Sequence, residues 1–470
     1  MDGYAGEPVS RMVHQCEFKR LEDGRRRAGA TVIRLAEHSR IYLPALSKDS
    51  LSKEANPASP DQRARIIDST TPDANDYPRV FQAWNKADNL GDENPLSSMA
   101  RHDLCFMTPE GLGLQADNSY PGLAAGFTEQ SVAEAKTMRA QLLKKNPRMI
   151  ILAAIPYRDA LPSYFPIDSA FWQRDEKGAP VAGWADTLST KGCWKIDFTK
   201  TEVQDLVRAK CVAALNCGVV DGIMLDWWND GAADAAHNRA RLDLLRKIRA
   251  AVGPDALILV NANNIRGDGD SPSCVLLRQS APLVNGIFME SVQTLHGGVT
   301  GTLATAPGQN LGTYTKEDWH NIEQALIWNE THMRPPHINC LEIWFQSSRH
   351  DESLMRAATT LSLTHSNGYC LFGDPNRLPT PDHLHSWYQF WNKSLGKPTE
   401  APGRMRKDGS YVREFQNGTV IYNSSLNHGP VTITFSDQRI RASQADPQLQ
   451  PAGTAFVIEP CDGDIFLKAK

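Results

Sequence analysis

The chain has 470 residues, more than one ordinary domain requires and normal for a large barrel with an appended module. Its net charge is −4 and its pI about 6.4, so there is no basic excess and nucleic acid is not an expected partner. No apolar run approaches the ~18 residues of a membrane helix, which excludes an integral membrane segment.

The N-terminus, Met1 to Pro8, lacks the apolar stretch of a signal peptide, so a soluble protein is expected, exported only if the true start lies elsewhere. The nine cysteines are scattered with no Cys-x-x-Cys spacing, so reduced and mostly buried thiols are expected. Residues 1–75 contain no Trp, carry a basic cluster at Arg25, Arg26 and Arg27, and run into a Ser/Pro/Asp-rich stretch. They read as an irregular N-terminal extension unable to build a core of its own.

From Tyr77 the pattern changes. Short apolar runs predict strands over 79–84, 102–107 and 149–155, with a helix over 129–145 between the second and third. A long Trp/Pro/Gly-rich segment follows, of the length usual for functional loops, and Asp197 at its end reads as a helix cap. A helix over 201–215 leads to a fourth strand, 222–225, then a helix over 235–252 and a fifth strand over 256–260. The sixth, seventh and eighth strands are predicted over 286–289, 338–345 and 369–372, with helices over 317–328 and 352–363 between them and a closing helix over 383–391. Eight apolar strands separated mainly by helices predict a (β/α)8 TIM barrel over residues 76–400. From Arg404 helical periodicity stops. Five short strand patterns, with the hairpin signal Asn417-Gly418, predict a small C-terminal all-β sandwich over residues 401–470.

The organising stretch is Val219 to Asp230. The apolar strand ends abruptly in Asp226, and Trp227 and Trp228 follow at once. In a parallel barrel, functional side chains sit where strands end. A carboxylate beside broad aromatic faces suits sugar chemistry, because it can attack or stabilise an oxocarbenium-like centre while an indole covers the apolar face of a sugar. The bland alternative is a helix cap or turn.

Glycoside hydrolysis needs two carboxyl groups. Asp226 is the candidate nucleophile or stabiliser. Glu290, ending Ile-Phe-Met-Glu, is the candidate acid/base, and a structural ion pair at the barrel rim is its alternative. Glu342 lies inside the seventh strand as a buried charge or a substrate contact, and Asp374 follows the eighth. Asn261 and Asn263 can bind sugar hydroxyls or simply form a turn. All eleven Trp lie between 84 and 391, and Trp84, Trp228 and Trp344 are candidate substrate-binding residues, although any single Trp is more often core. His383-Leu-His385 has the spacing of a metal pair but no other ligand cluster, and reads as structural within the closing helix. Neither a metal nor an organic cofactor is expected.

Asp-Phe-Thr-Lys-Thr-Glu-Val (197–203), followed by Asp-Gly-Ile-Met-Leu-Asp-Trp-Trp (221–228), resembles the barrel-type glycoside-hydrolase-like families of mostly unassigned specificity. The tail Tyr411 to Asn423 is similar to the C-terminal β module of such proteins. The resemblance covers roughly residues 77–470. It implies Asp226 as a catalytic residue, leaves the second carboxylate open, and implies a carbohydrate substrate. Two other readings remain at this point: a carbohydrate-binding barrel without turnover, and a barrel hydrolase or lyase acting on a non-sugar substrate.

Overall fold

The computed structural model describes residues 53–91, 93–184, 192–229, 234–291, 314–345, 348–373, 383–443 and 453–469. Eight parallel strands form one sheet in sequential order. They are β1 (Phe81–Ala83), β2 (Leu104–Met107), β3 (Ile150–Ala154), β4 (Gly222–Leu225), β5 (Leu257–Asn261), β6 (Gly286–Ser291), β7 (Cys340–Trp344) and β8 (Tyr369–Gly373). A parallel bridge between Val80 and Cys370 joins the last strand to the first and closes the barrel. Strands such as Ile150–Ala154 are buried on both faces, which is why they read as unbroken apolar runs. Phe81, Phe106 and Phe288 fill the interior, with Phe106 and Phe288 at a ring separation of 5.1 Å. The barrel is therefore a packed core with an aromatic floor beneath its C-terminal mouth.

The helices in chain order are α1 (Pro60–Thr70), α2 (Pro95–Met99), α3 (Glu129–Lys145), α4 (Thr201–Asn216), α5 (Ala235–Val252), α6 (Pro272–Ser280), α7 (Lys316–His332) and α8 (Glu352–His365). Their ends follow local chemistry. Asp234 caps α5 by accepting the N–H groups of Ala236 and His237, and Gly253 ends it at φ 77°. Thr315 and Asp318 form a reciprocal capping box on α7. None of the helices among the described residues is long and apolar enough to cross a membrane. The eight described cysteines are unpaired, and five of them are buried.

Three expectations change. The stretch expected as irregular contains α1, capped by Ser59 and started by Pro60, with Ile66 in the barrel core. This helix borrows its apolar partners from the barrel, so its own composition gives no sign of a core. The closing helix over 383–391 is absent. His383 takes a left-handed φ of 55°, His385 bridges Gly373 and Ala87, and only a short 3-10 turn follows at Gln389–Asn392. Helix α6, which was not expected, is capped by Ser271 and places Leu276 and Leu277 in the core.

At the C-terminus, β9 (Ser410–Glu414), β10 (Gly418–Asn423), β11 (Val431–Arg441), β12 (Gly453–Ile458) and β13 (Asp462–Lys468) form an antiparallel sheet in the order β9-β10-β13-β11-β12. Strand β11 pairs with β12 through residues 431–434 and with β13 through 439–441, with a register shift between the two stretches. The sheet folds over at that point and encloses a small core of Val412, Ile421, Val431, Ile433, Ile458 and Phe466. The result is a (β/α)8 barrel with a C-terminal β-sandwich. Tyr422 Oη and Ser424 Oγ donate to the buried Glu323 carboxylate of α7, and Arg356 of α8 pairs with Asp462 at 2.8 Å, so this module is fastened to the barrel's last helices.

Candidate active site

Polar side chains converge at the C-terminal mouth of the barrel. Asp226 follows β4 directly, and Asn261 is the last residue of β5. The Asn261 Nδ2 group donates to Asp226 Oδ1 at 2.8 Å and to Glu290 Oε2 at 2.7 Å. One amide therefore holds two carboxylates, and those oxygens can be no farther apart than the sum of the two bonds, 5.5 Å. Asn261 Oδ1 accepts the N–H of Asn263, which fixes which way the amide points. Glu290 lies within β6, in register beside Glu342 of β7.

Glu342 is fully buried and accepts from His383 Nδ1 at 2.8 Å. The other ring nitrogen of His383 lies 3.9 Å from Glu290 Oε1. Glu342 reaches this position because residue 373 is glycine: a Cβ there would stand 2.2 Å from Glu342 Oε1. Trp84, just past β1, stacks on the His383 ring at 4.9 Å and 25°.

A pocket of about 120 Å3 opens beside Asp226, walled by Trp84, Thr108, Tyr157, Arg158, Asp159 and Trp227. Arg158 lies over the Trp227 ring at 4.6 Å and pairs with Asp159 at 2.7 Å. Tyr157 Oη donates to the Trp227 carbonyl at 2.9 Å and accepts from Arg241 Nε at 3.3 Å, which pins the turn after β4.

The backbone of this rim is strained. Trp84, Trp227, Asn263 and His383 are non-glycine residues with φ of 49°, 54°, 52° and 55°, and the first three lie one or two residues past a barrel strand. Such conformations cost about 1–3 kcal/mol each and persist where the surroundings over-determine them. The Asp226 carboxyl is pushed up to about 6. Burial is the main cause, the bonds from Asn261 and the Trp227 N–H act against it, and the nearby Asp159 charge adds to it.

The sequence-derived candidates divide. Asp226, Glu290, Asn261, Glu342 and Trp84 come together at the mouth. Asn263 sits beside them as a left-handed turn residue whose N–H meets Asn261. One expectation is corrected: Trp228 is fully buried in the hydrophobic core and donates its indole N–H to Ser280 Oγ at 3.0 Å, so it offers no face to a sugar. Trp344 is also fully buried, at the end of β7, but lies outside the hydrophobic cluster. Asp374 lies outside the described residues.

His383, expected as structural, belongs to the site. Its local sequence carries no signal of this, since Pro379 and Pro381 lie ahead of it, where proline is compatible with a helix start. Tyr157, Arg158 and Asp159 were also missed, although they follow the third apolar strand as a sudden polar run. Among the described residues, no group of three or more His, Cys, Asp or Glu side chains is arranged to hold a metal ion.

No protein-family model and no curated protein sequence matches this chain. Among solved structures, it is similar to a noncanonic maltogenic alpha-amylase from Thermotoga neapolitana, at 12% identity over 83% of this chain and 99% of that one, with a TM-score of 0.45. An alpha-amylase from Malbranchea cinnamomea matches at 9% identity over 87% and 98%, with a TM-score of 0.44. An alpha-galactosidase from Thermus thermophilus matches at 15% identity over 67% and 62%, with a TM-score of 0.39. The barrel assignment rests on the chain's own strand order and closing bridge.

Proposed function

We propose that the protein is a glycoside hydrolase that cleaves O-glycosidic bonds of an oligo- or polysaccharide with Asp226 and Glu290 as its two carboxyl groups. The observation that carries this reading is the Asn261 amide bonded to both carboxylates, which limits the bonded oxygens to 5.5 Å. A bound of 5.5 Å leaves less than the ~6.5 Å that inverting enzymes need for a water, and so favours a retaining, double-displacement mechanism.

Asp226 is the nucleophile in this reading. It borders the pocket, and the N–H groups of Asn261 and Trp227 favour its ionised form. Glu290 protonates the leaving oxygen and later draws a proton from water. Trp84 and Trp227 supply aromatic walls for a sugar ring, and the Arg158–Asp159 pair supplies polar contacts for its hydroxyls. The reaction as written uses protein side chains alone.

The test is reducing-sugar release from a broad panel of oligo- and polysaccharides by wild type, Asp226→Asn and Glu290→Gln. Release by wild type that falls at least about 10³-fold in both variants supports the pair. Glycan binding without release by wild type would move the assignment to a binding barrel.

A further inference from the structure

The turn after β4 is strained and tightly held. Trp227 takes a left-handed φ of 54°, and both peptide groups that flank it are tied down. Its own N–H donates to Asp226 Oδ1 at 2.9 Å. The next peptide is gripped at both ends. Its N–H, that of Trp228, donates to the Asn261 carbonyl at 2.8 Å, and its carbonyl, that of Trp227, accepts from Tyr157 Oη at 2.9 Å. Of these bonds, the one from Tyr157 crosses from the segment after β3.

Tyr157 is itself held in place. Arg241 of α5 donates its Nε–H to the hydroxyl at 3.3 Å, and the ring packs against Phe198 at 5.4 Å and Trp228 at 5.8 Å. Burial pushes the phenol up to about 12, against the pull of Arg241, so the hydroxyl keeps the proton it donates.

We infer that Tyr157, backed by Arg241, is a positioning residue for the nucleophile: it clamps the left-handed Trp227 turn, which keeps Asp226 Oδ1 engaged and leaves Oδ2 to attack the anomeric carbon. The role of Asp226 as nucleophile rests on the glycosidase reading. The clamp rests on the hydrogen bonds alone.

Asp226 Oδ1 accepts from both the Asn261 amide and the Trp227 N–H, and among the described residues no hydrogen bond reaches Oδ2. A carboxylate with one oxygen fixed by two donors presents the other in one direction, as an in-line attack requires. In the first half-reaction Oδ2 bonds to the anomeric carbon, the glycosidic C–O bond breaks, and its oxygen takes the Glu290 proton. Water then breaks the Asp226 ester and returns a proton to Glu290. A left-handed φ at a residue with a Cβ persists only where its surroundings over-determine it. Without the Tyr157 hydroxyl, the Trp227 carbonyl loses its partner and the turn relaxes. The Trp227 N–H then leaves Oδ1, and the Trp227 ring, which lies 4.6 Å from the Arg158 guanidinium, leaves the pocket wall.

The titratable groups facing Asp226 are Asp159 and Tyr157 from the segment after β3, Glu290 of β6 through the shared Asn261 amide, and His383 from the segment after β8. The Trp227 N–H opposes the effect of burial on Asp226, so losing that bond raises the carboxyl further.

The experiment follows the Trp227 amide by NMR in protein labelled with 15N-tryptophan, its signal identified by its loss in Trp227→Phe. An amide bonded to a carboxylate shifts as that carboxylate ionises, so the wild-type signal should move with a midpoint of about 6. Tyr157→Phe keeps the ring and removes the hydroxyl. Arg241→Met, which acts through Tyr157, serves if Tyr157→Phe fails to fold. The expected result in Tyr157→Phe is a loss of about half or more of that pH-dependent movement, with the acid limb of kcat/KM moved up and kcat lowered about 10–100-fold. Arg241→Met should change all three in the same direction, by less. An unchanged amide titration in Tyr157→Phe, or in Arg241→Met where that is the variant that folds, overturns the inference and leaves the glycosidase reading intact. A wild-type Trp227 amide that does not respond to pH overturns it too. A wild type that releases no sugar overturns the glycosidase reading, and the amide titration still decides whether the clamp exists.

Discussion

Two aspartates stand at opposite ends of β4, with only that four-residue strand between them. Asp221, at the N-terminal end, is fully buried. It pairs with Arg139 at 2.6 Å and with Arg65 of α1, and accepts the Ile151 N–H at 3.0 Å. Burial pushes its carboxyl up, but Arg139 and Arg65 outweigh that and hold it below the usual range. Asp226, at the C-terminal end, meets only an amide and a backbone N–H among its described hydrogen-bond donors, and burial carries its carboxyl up to about 6. The same strand thus ends in a charge that is compensated and in one that is not. The first joins α1 and α3 to the barrel floor. The second is held at the mouth by burial that favours its neutral form, a profile common at functional sites and the basis for proposing Asp226 as catalytic.

The largest expected effect comes from removing the compensated charge. Asp221→Asn leaves two arginines facing a neutral side chain and should cost about 3–5 kcal/mol in urea unfolding at pH 7. Because its folded carboxyl lies below its unfolded value, the stabilisation is present above the unfolded pKa and is lost as pH falls through the folded one. The gap between wild type and variant should therefore close in acid. A loss below about 1 kcal/mol at pH 7 would remove the basis of the comparison.

At the other end of the barrel, Gly373→Ala drives a Cβ to 2.2 Å from Glu342 Oε1. Overpacking of this kind costs about 1–3 kcal/mol. It should also disturb the Glu342–His383 contact, so sugar release should fall more than stability alone explains. Retained activity with wild-type melting would show that the mouth yields easily.

Arg65→Ala removes one of two arginines from Asp221 and should cost about 1 kcal/mol, well short of the aspartate substitution, since Arg139 remains. Equal losses would mean that α1 carries the ion pair by itself.

The smallest effect is a shift in pH dependence. A nucleophile titrating at about 6 should give kcat/KM an acid limb there. The Asp159 charge contributes to raising Asp226, so Asp159→Asn should move that limb down by roughly a few tenths of a unit. An upward shift would contradict the electrostatic account of the pocket.

The barrel was legible because strands buried on both faces must be apolar throughout, and Ile150–Ala154 and Leu257–Asn261 show this directly. Asp226 was legible as a charge that ends such a run. The adjacent tryptophans were not. Trp227 takes a left-handed φ, which turns its ring toward the pocket, and the Trp228 N–H then returns to the Asn261 carbonyl with its ring in the core. Two identical side chains acquire opposite roles from one dihedral angle, which no periodicity encodes. His383 was lost for the same reason, its left-handed backbone lying where a helix was expected. Asn261 was visible only as a turn residue or sugar ligand, because its bridging role depends on Glu290 coming round from the next strand.

The most direct measurement takes activity and melting temperature from the same preparation of Asp226→Asn. A buried carboxyl raised to about 6 destabilises the fold at pH 7 by roughly 3 kcal/mol relative to a group titrating near 3.8. Its folded value exceeds its unfolded one, so full stability is present below the unfolded pKa and is lost as pH rises through about 6. The account expects Asp226→Asn to melt no lower than wild type at pH 7 while sugar release disappears. A variant that melts lower and still releases sugar would make Asp226 a second structural charge like Asp221, and would contradict the central claim.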